Sequence, residues 1–263
     1  MSALPVVSAG WLALRADADA RSRSLSLAAY AARGMKPGPV VVHDLGSGSG
    51  AMMRWLAPLL PGPQEWVLHD ADAGILAARG PRPAFDATGD AVRSRTSVEP
   101  LAELPAHAFA GASLVVASAL LDVLTDDEAR AIVDACVAAG VPAFFSLSVT
   151  GRVSLEPARA TDARVAAAFN DHQRRDADGR RLLGPDAAAT VARLFEAAGW
   201  NVRTEPTPWV LGPRDGALVA EWLDGWLGAA VEQQSDLAAA AEAYSADGLR
   251  VVVEHEDLFA WPA

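Results

Sequence analysis

Between residues 39 and 149 apolar runs alternate with helical stretches, and this alternation constrains the fold more than any other feature of the chain. PVVVHDL (39–45), EWVLHD (65–70), AVRSRTSV (91–98), SLVVASALL (113–121) and VPAFFSLSV (141–149) read as strands. SGAMMRWLAPLL (49–60), AGILAARG (73–80) and TDDEARAIVDACVAAG (125–140) read as helices. In the last of these, Thr125 and Glu128 have the spacing of a capping box. Strands joined through helices imply βαβ units and a parallel sheet. Runs such as VVVHDL and LVVASALL are apolar on both faces, so helices must cover both sides. The expected fold is α/β, a doubly wound Rossmann-like sheet.

Residues 9–33 are rich in Ala and Leu and read as one or two helices closed by Gly34, with a turn at Lys36–Pro39. Residues 1–37 form an N-terminal helical segment and 38–150 the core. Beyond 150 the text becomes polar and irregular, with a helix near 160–174. A helix over 185–200, a strand followed by a loop over 201–211, helices over 215–234 and 236–244, and a last strand within 249–262 follow. There is no internal repeat and no second independent core, so 1–263 reads as one domain. Segments 151–184 and 212–247 are expected to be inserts that cap the substrate side of the sheet's carboxyl edge.

The 263 residues, 51% of them apolar, suffice for one large core. A net charge of −11 repels phosphate backbones and argues against a nucleic-acid partner. The lone cysteine, Cys136, excludes an intrachain disulfide and a cysteine metal cluster; its helical context makes it a small buried residue. The five histidines lack ligand spacing, and no metal site is expected. No basic start precedes an apolar run, and no stretch approaches about 18 uninterrupted apolar residues. A cytoplasmic protein without a membrane partner is expected.

GSGSGA (46–51) satisfies G-x-G-x-x-G/A through Gly46, Gly48 and Ala51. It follows an apolar strand and opens a helix, the setting in which backbone N–H groups cradle a ligand. Asp44, two residues ahead, would repel a pyrophosphate but suits an ammonium group. A ligand with adenosine, an amino-acid tail, a positive centre and no phosphate is S-adenosylmethionine. Asp44 can also cap the loop by accepting backbone N–H groups, and the two roles are compatible. Asp70 lies 24 positions after Gly46, at the tip of the second strand, where an acid accepts hydrogen bonds from ribose hydroxyls. Asp72 takes that role if the register is shifted by two.

On HDLGSGSG (43–50), LHDAD (68–72) and LVVASALLDVL (114–124), the chain resembles the class I S-adenosylmethionine-dependent methyltransferases. PDAAATVARLFEAAGWNV (185–202) looks like that family's later helix and sixth strand, and LRVVVEHEDL (249–258) like its antiparallel seventh. The resemblance implies a seven-stranded, mostly parallel sheet with its last strand antiparallel. It also implies direct methyl transfer to an oxygen or nitrogen of a small-molecule acceptor, leaving S-adenosylhomocysteine. Asp44 and the loop residues Gly46, Ser47, Gly48 and Gly50 would hold the amino-acid end. Asp70 and Ala71 would meet the ribose, Glu99 the adenine amine and Leu101 the ring. Ser118 and Leu121 would line the cofactor pocket, with Asp122 at the edge between cofactor and acceptor.

His172, in AAFNDHQRRD (167–176), is the candidate general base, with Asn170 and Gln173 beside it; the bland reading is an exposed loop histidine. Arg152 either pairs with an anionic acceptor or is a surface charge. Trp209, Trp222 and Trp226 either wall a flat acceptor or pack a helix. Asp122, Arg152, Asn170 and Trp209 are thus the expected acceptor contacts. His43 and His69 lie inside strands and read as packed, hydrogen-bonded residues. Trp11 and Arg15, four apart, suit a helix closing the cofactor pocket. Two other readings remain: a non-catalytic S-adenosylmethionine-binding module and an NAD(P)-dependent oxidoreductase. Asp44 and the lack of a Tyr-x-x-x-Lys pair speak against the latter.

Overall fold

Three consecutive valines, with Leu45 three positions on, favour an extended chain at Val40–Leu45 (β1), and that strand lies inside the sheet between two parallel neighbours. A computed structural model describes residues 8–36, 38–79, 82–101, 105, 107–177 and 179–263. Pro37 of the expected turn, Gly80 at the end of the expected helix 73–80, and 102–104 after Leu101 lie outside the described residues, as does the N-terminal stretch 1–7.

The N-terminal segment forms α1 (Ala9–Ser22) and α2 (Leu25–Gly34), capped by Ser8 and Ser24. After β1 come α3 (Ala51–Leu56), β2 (Gln64–Asp70), α4 (Ala73–Ala78), β3 (Arg93–Val98), β4 (Leu114–Ser118), α5 (Asp126–Ala139) and β5 (Ala143–Glu156). Then follow α6 (Asp162–Gln173), a two-residue hairpin β6 (Asp176–Ala177) and β7 (Arg180–Arg181), α7 (Ala187–Ala197), β8 (Asn201–Pro206), β9 (Trp209–Leu211), α8 (Gly216–Gln233), α9 (Ala238–Ala241) and β10 (Arg250–Trp261). The main sheet runs β3-β2-β1-β4-β5-β10-β8. Its first five strands are mutually parallel, and β10 is antiparallel to both β5 and β8. The seven expected strands are therefore present, and β9 pairs with β10 as an eighth.

Successive side chains of a strand point to opposite faces, and here each face has its own core. Phe144 packs with Leu27, Met53 and Leu56 of α2 and α3. Its neighbour Phe145 packs with Ile132, Cys136 and Phe195 of α5 and α7. Burial raises the Cys136 thiol pKa, as suits a packing residue. The edge strands β3 and β8 expose Arg93, Arg95 and Arg203, charges that discourage edge-to-edge pairing. No described helix is long and apolar enough to cross a membrane.

The Thr125 capping box forms as expected, with Thr125 Oγ1 accepting from Glu128 N at 3.2 Å and Glu128 Oε2 accepting from Thr125 N at 2.9 Å. Thr125→Ala should lower stability by about 1 kcal/mol. Urea denaturation should show a lower midpoint with an unchanged slope.

The structure departs from the sequence reading after residue 149. Instead of turning irregular, β5 continues to Glu156, pairing Val153 with Val253 and Leu155 with Val251. TGRVSLE alternates polar and apolar residues, the pattern of a strand with one buried face. With β9 and β10 it forms an antiparallel ribbon beyond the carboxyl edge of the parallel strands. Helices α6 and α8 pack on that ribbon in a third apolar cluster containing Leu155, Val165, Trp209, Leu223, Trp226 and Val251.

Candidate functional site

The turn after β1 is built for close approach. Gly46 and Gly48 have φ of +58° and +53°, a region that costs other residues about 1–2 kcal/mol. A Cβ on Gly46 would lie 2.8 Å from Leu120 Cδ1, and one on Gly48 3.0 Å from Leu12 Cδ1. Asp70, at the end of β2, holds the turn: its Oδ2 accepts from Gly48 N at 2.9 Å and its Oδ1 from Asp72 N at 3.0 Å. Asp72 caps α4 through Gly74 N and Ile75 N.

Above this turn lies a cavity of about 470 Å³, within the ~300–1,000 Å³ common for small-molecule sites. Asp44, Asp70, Ala71, Ser47 and Leu101 reach it from the sheet side. Leu12, Arg15, Asp19 and Arg23 reach it from α1 and the junction after it. Asp44 is 1% exposed, and neither carboxylate oxygen has a hydrogen-bond partner. Burial pushes its carboxyl up to about 8, with the charge of Arg23 opposing.

Arg23 is itself buried, which lowers its guanidinium pKa while Asp19 opposes. One Nη donates to Ser118 Oγ at 3.0 Å, and Nε has no partner. Its position follows from Asp257, a fully buried carboxylate that accepts from Ser24 N at 2.9 Å, Leu147 N at 2.8 Å and Thr207 Oγ1 at 2.8 Å. This carboxylate ties the α1–α2 junction to β5 and β10, so Arg23 must project over the sheet edge.

A second cavity, of about 160 Å³, opens between the ribbon and α6 and α8. Arg15 and Ala119 line both cavities. Ala119 has φ of +50°, a strained conformation for a residue with a Cβ, held by its N–H donating to Ser146 O at 2.9 Å. Trp209, Trp222 and Trp226 wall the second cavity, and the last two rings stack 5.3 Å apart. Asp122, Arg152, Asn170 and Trp209, widely separated in sequence, all come together there. Burial raises the Asp122 carboxyl pKa.

Other expected residues lie elsewhere. His172 lines neither cavity. Its Nε2 meets Glu232 Oε2 at 2.6 Å and its Nδ1 meets Arg175 at 2.8 Å, an interhelical tether rather than a base facing an acceptor. Helix periodicity accounts for the correction: Asn170 and Gln173, three apart, face the cavity, while His172 is turned toward α8. Glu99 is also outside the first cavity, bonded to Ser97 Oγ and to His69 Nδ1 at 3.3 Å. Leu121 is sealed in the core against α5 and does not line the first cavity; Leu120, buried in the same cluster, is the one that reaches its wall. Gly50, with φ of +77°, shapes the start of α3 and does not line the cavity. His43 and His69 are buried and hydrogen-bonded to each other at 3.0 Å, and burial lowers the His43 pKa to about 4.

Sequence reasoning missed Arg23, Ala119 and His255. Only His255 carried any local signal, a polar residue on the inward side of the last strand. Its Nδ1 bonds the Val253 carbonyl at 2.9 Å, so Nδ1 carries the proton and Nε2 is left as an acceptor in the second cavity. Burial, helped by Arg15, lowers its pKa to about 3, so the ring is neutral at ordinary pH.

No family model and no curated protein matches the sequence. Solved structures do resemble the chain. The cyclopropane-fatty-acyl-phospholipid synthase-like protein from Lactobacillus casei aligns over 98% of this chain and 96% of its own, at 15% identity and a TM-score of 0.53. An O-methyltransferase family protein from Burkholderia thailandensis aligns over 93% of this chain at 15% identity and a TM-score of 0.46; this chain spans 55% of its length. The plantazolicin methyltransferase BpumL, solved with SAH, aligns over 96% of this chain and 86% of its own, at 9% identity and a TM-score of 0.43. The chain shares the fold of the Lactobacillus protein, a doubly wound Rossmann-like α/β sheet with its last strand antiparallel.

Proposed function

We propose that the protein is an S-adenosylmethionine-dependent methyltransferase acting on a small-molecule acceptor. The observation that carries this reading is Asp44, a fully buried carboxylate with both oxygens unpartnered, facing a cavity beside a glycine turn. Such a group is costly unless a cation or donor reaches it. The ammonium of an amino-acid tail meets that need, and a dinucleotide pyrophosphate does not. The free Nε of Arg23 supplies the matching partner for the tail's carboxylate. Asp70 still has lone pairs for ribose hydroxyls after holding Gly48 and Asp72.

When bound, the cofactor supplies a sulfonium methyl: an acceptor lone pair forms the new bond to carbon, the carbon–sulfur pair goes to sulfur, and the acceptor's proton leaves. Asp122, three residues beyond the junction of the two cavities, is the proposed proton acceptor in place of His172. Its raised pKa brings a carboxylate closer to the range useful for general base work. The aromatic walls of the second cavity exclude water from the acceptor.

Calorimetric titration with S-adenosylhomocysteine and with NAD tests the reading. The expected result is saturable binding of the first and none of the second. Binding of NAD alone would favour the oxidoreductase reading instead.

A further inference from the structure

The geometry of the second cavity points to an acceptor class: a single-ring aromatic compound bearing a ring hydroxyl or amine and an anionic substituent. This inference rests on the methyltransferase reading above. The cavity volume of about 160 Å³ sets the size. A cavity of ~150 Å³ lined by apolar side chains holds benzene, so one ring fits between the tryptophans, with its substituents reaching the polar lining. Flat walls formed by Trp209, Trp222 and Trp226 favour a flat guest through offset or edge contacts.

The polar lining sets the substituents. Asn170 donates its Nδ2 to Gly151 O at 2.9 Å, which leaves Oδ1 buried without a partner. His255 Nε2 is likewise an acceptor, because Nδ1 is committed to the Val253 carbonyl. Gln173 Oε1, also in the lining, is a third buried acceptor without a partner, and such a set calls for a donor on the ligand, an O–H or N–H. Trp226 Nε1 is buried and unpartnered and can only donate, so the ligand must also offer an acceptor.

Charge then decides between an anionic and a cationic guest. Aromatic cages often hold cations, but this one already has its own. The Arg15 guanidinium lies 4.8 Å from the Trp209 ring centroid and 5.9 Å from that of Trp11. Arg152 lines the cavity, is exposed, and makes no ion pair among the described residues. Arg15 is already paired with Asp19 at 3.0 Å, so the guanidinium without an ion pair is Arg152: it repels a second cation and offers a partner to a carboxylate or similar anion. Asp122, the one acid among the charged groups lining the cavity, is beside Arg15 and takes the ring donor's proton.

The experiment uses the full chain saturated with S-adenosylhomocysteine and titrated calorimetrically with 2-, 3- and 4-hydroxybenzoate, phenol, tyramine and cyclohexanecarboxylate. At least one hydroxybenzoate should bind about tenfold or more tightly than phenol, tyramine and cyclohexanecarboxylate. Arg152→Gln should remove most of the preference over phenol, with S-adenosylhomocysteine binding kept. Tyramine binding as well as the best hydroxybenzoate overturns the inference, as does an unchanged preference in Arg152→Gln. A protein that binds S-adenosylhomocysteine but none of the six compounds overturns the acceptor class alone. Failure to bind S-adenosylhomocysteine overturns the methyltransferase reading and this inference with it.

Discussion

Asp44→Asn should weaken S-adenosylhomocysteine binding by about 100-fold or more, the scale of losing one side of a buried ion pair. The same change should leave 5′-methylthioadenosine binding unaltered, because that ligand has no amino-acid tail. Stability should move the other way. The Asp44 carboxyl titrates at about 8 in the folded chain against 3.8 when unfolded. Below the lower value both states are protonated and the group is neutral in the balance. As the pH rises toward about 8 the unfolded chain releases the proton and the folded chain retains it, so wild-type stability falls. The Asn variant, which does not ionise, should melt about 10 °C or more above the ligand-free wild type at pH 8, the gap closing near pH 4. Differential scanning calorimetry at the two pH values checks the sign. Ligand binding at pH 7 should also release a proton, visible as a dependence of binding heat on the buffer. A variant that binds S-adenosylhomocysteine like the wild type would show that Asp44 serves the loop alone.

The second large effect is expected at Arg23. Arg23→Met keeps an unbranched apolar stem and much of its packing but removes the guanidinium beside Asp44 and Ser118. S-adenosylhomocysteine affinity should fall about 30-fold, from loss of a charge-assisted contact to the tail carboxylate. Binding of 5′-methylthioadenosine should again be unchanged, which separates this role from a structural one. Equal loss for both ligands would mean that Arg23 only supports the N-terminal helices.

The parallel core was legible because its determinants are local. The alternation of apolar strands with capped helices, the glycines and the carboxylate before them lie within short windows. Asp44 could be singled out because a charge in an apolar strand is anomalous wherever the chain goes. The reading went astray where a local pattern had two outcomes. Helix α6 was expected, but which of Asn170, His172 and Gln173 turned inward depended on where α8 packed. Leu121 and Leu120 are equivalent as text; both are buried in one core cluster, and only the turn at Ala119 decides that Leu120 also touches the cavity.

The sequence by itself determined the layered sheet, the glycine turn and the buried carboxylate beside it, because strand and helix periods and the cost of burying a charge act over a few residues. Only the tertiary structure decided the acceptor cavity. Its residues come from α1, the turn after β4, the extension of β5, α6, β9, α8 and β10, segments more than 200 residues apart at their extremes, Trp11 and His255. No local period records such a meeting. It follows from the antiparallel ribbon that carries β5 beyond the sheet and gives α6 and α8 a surface to bury.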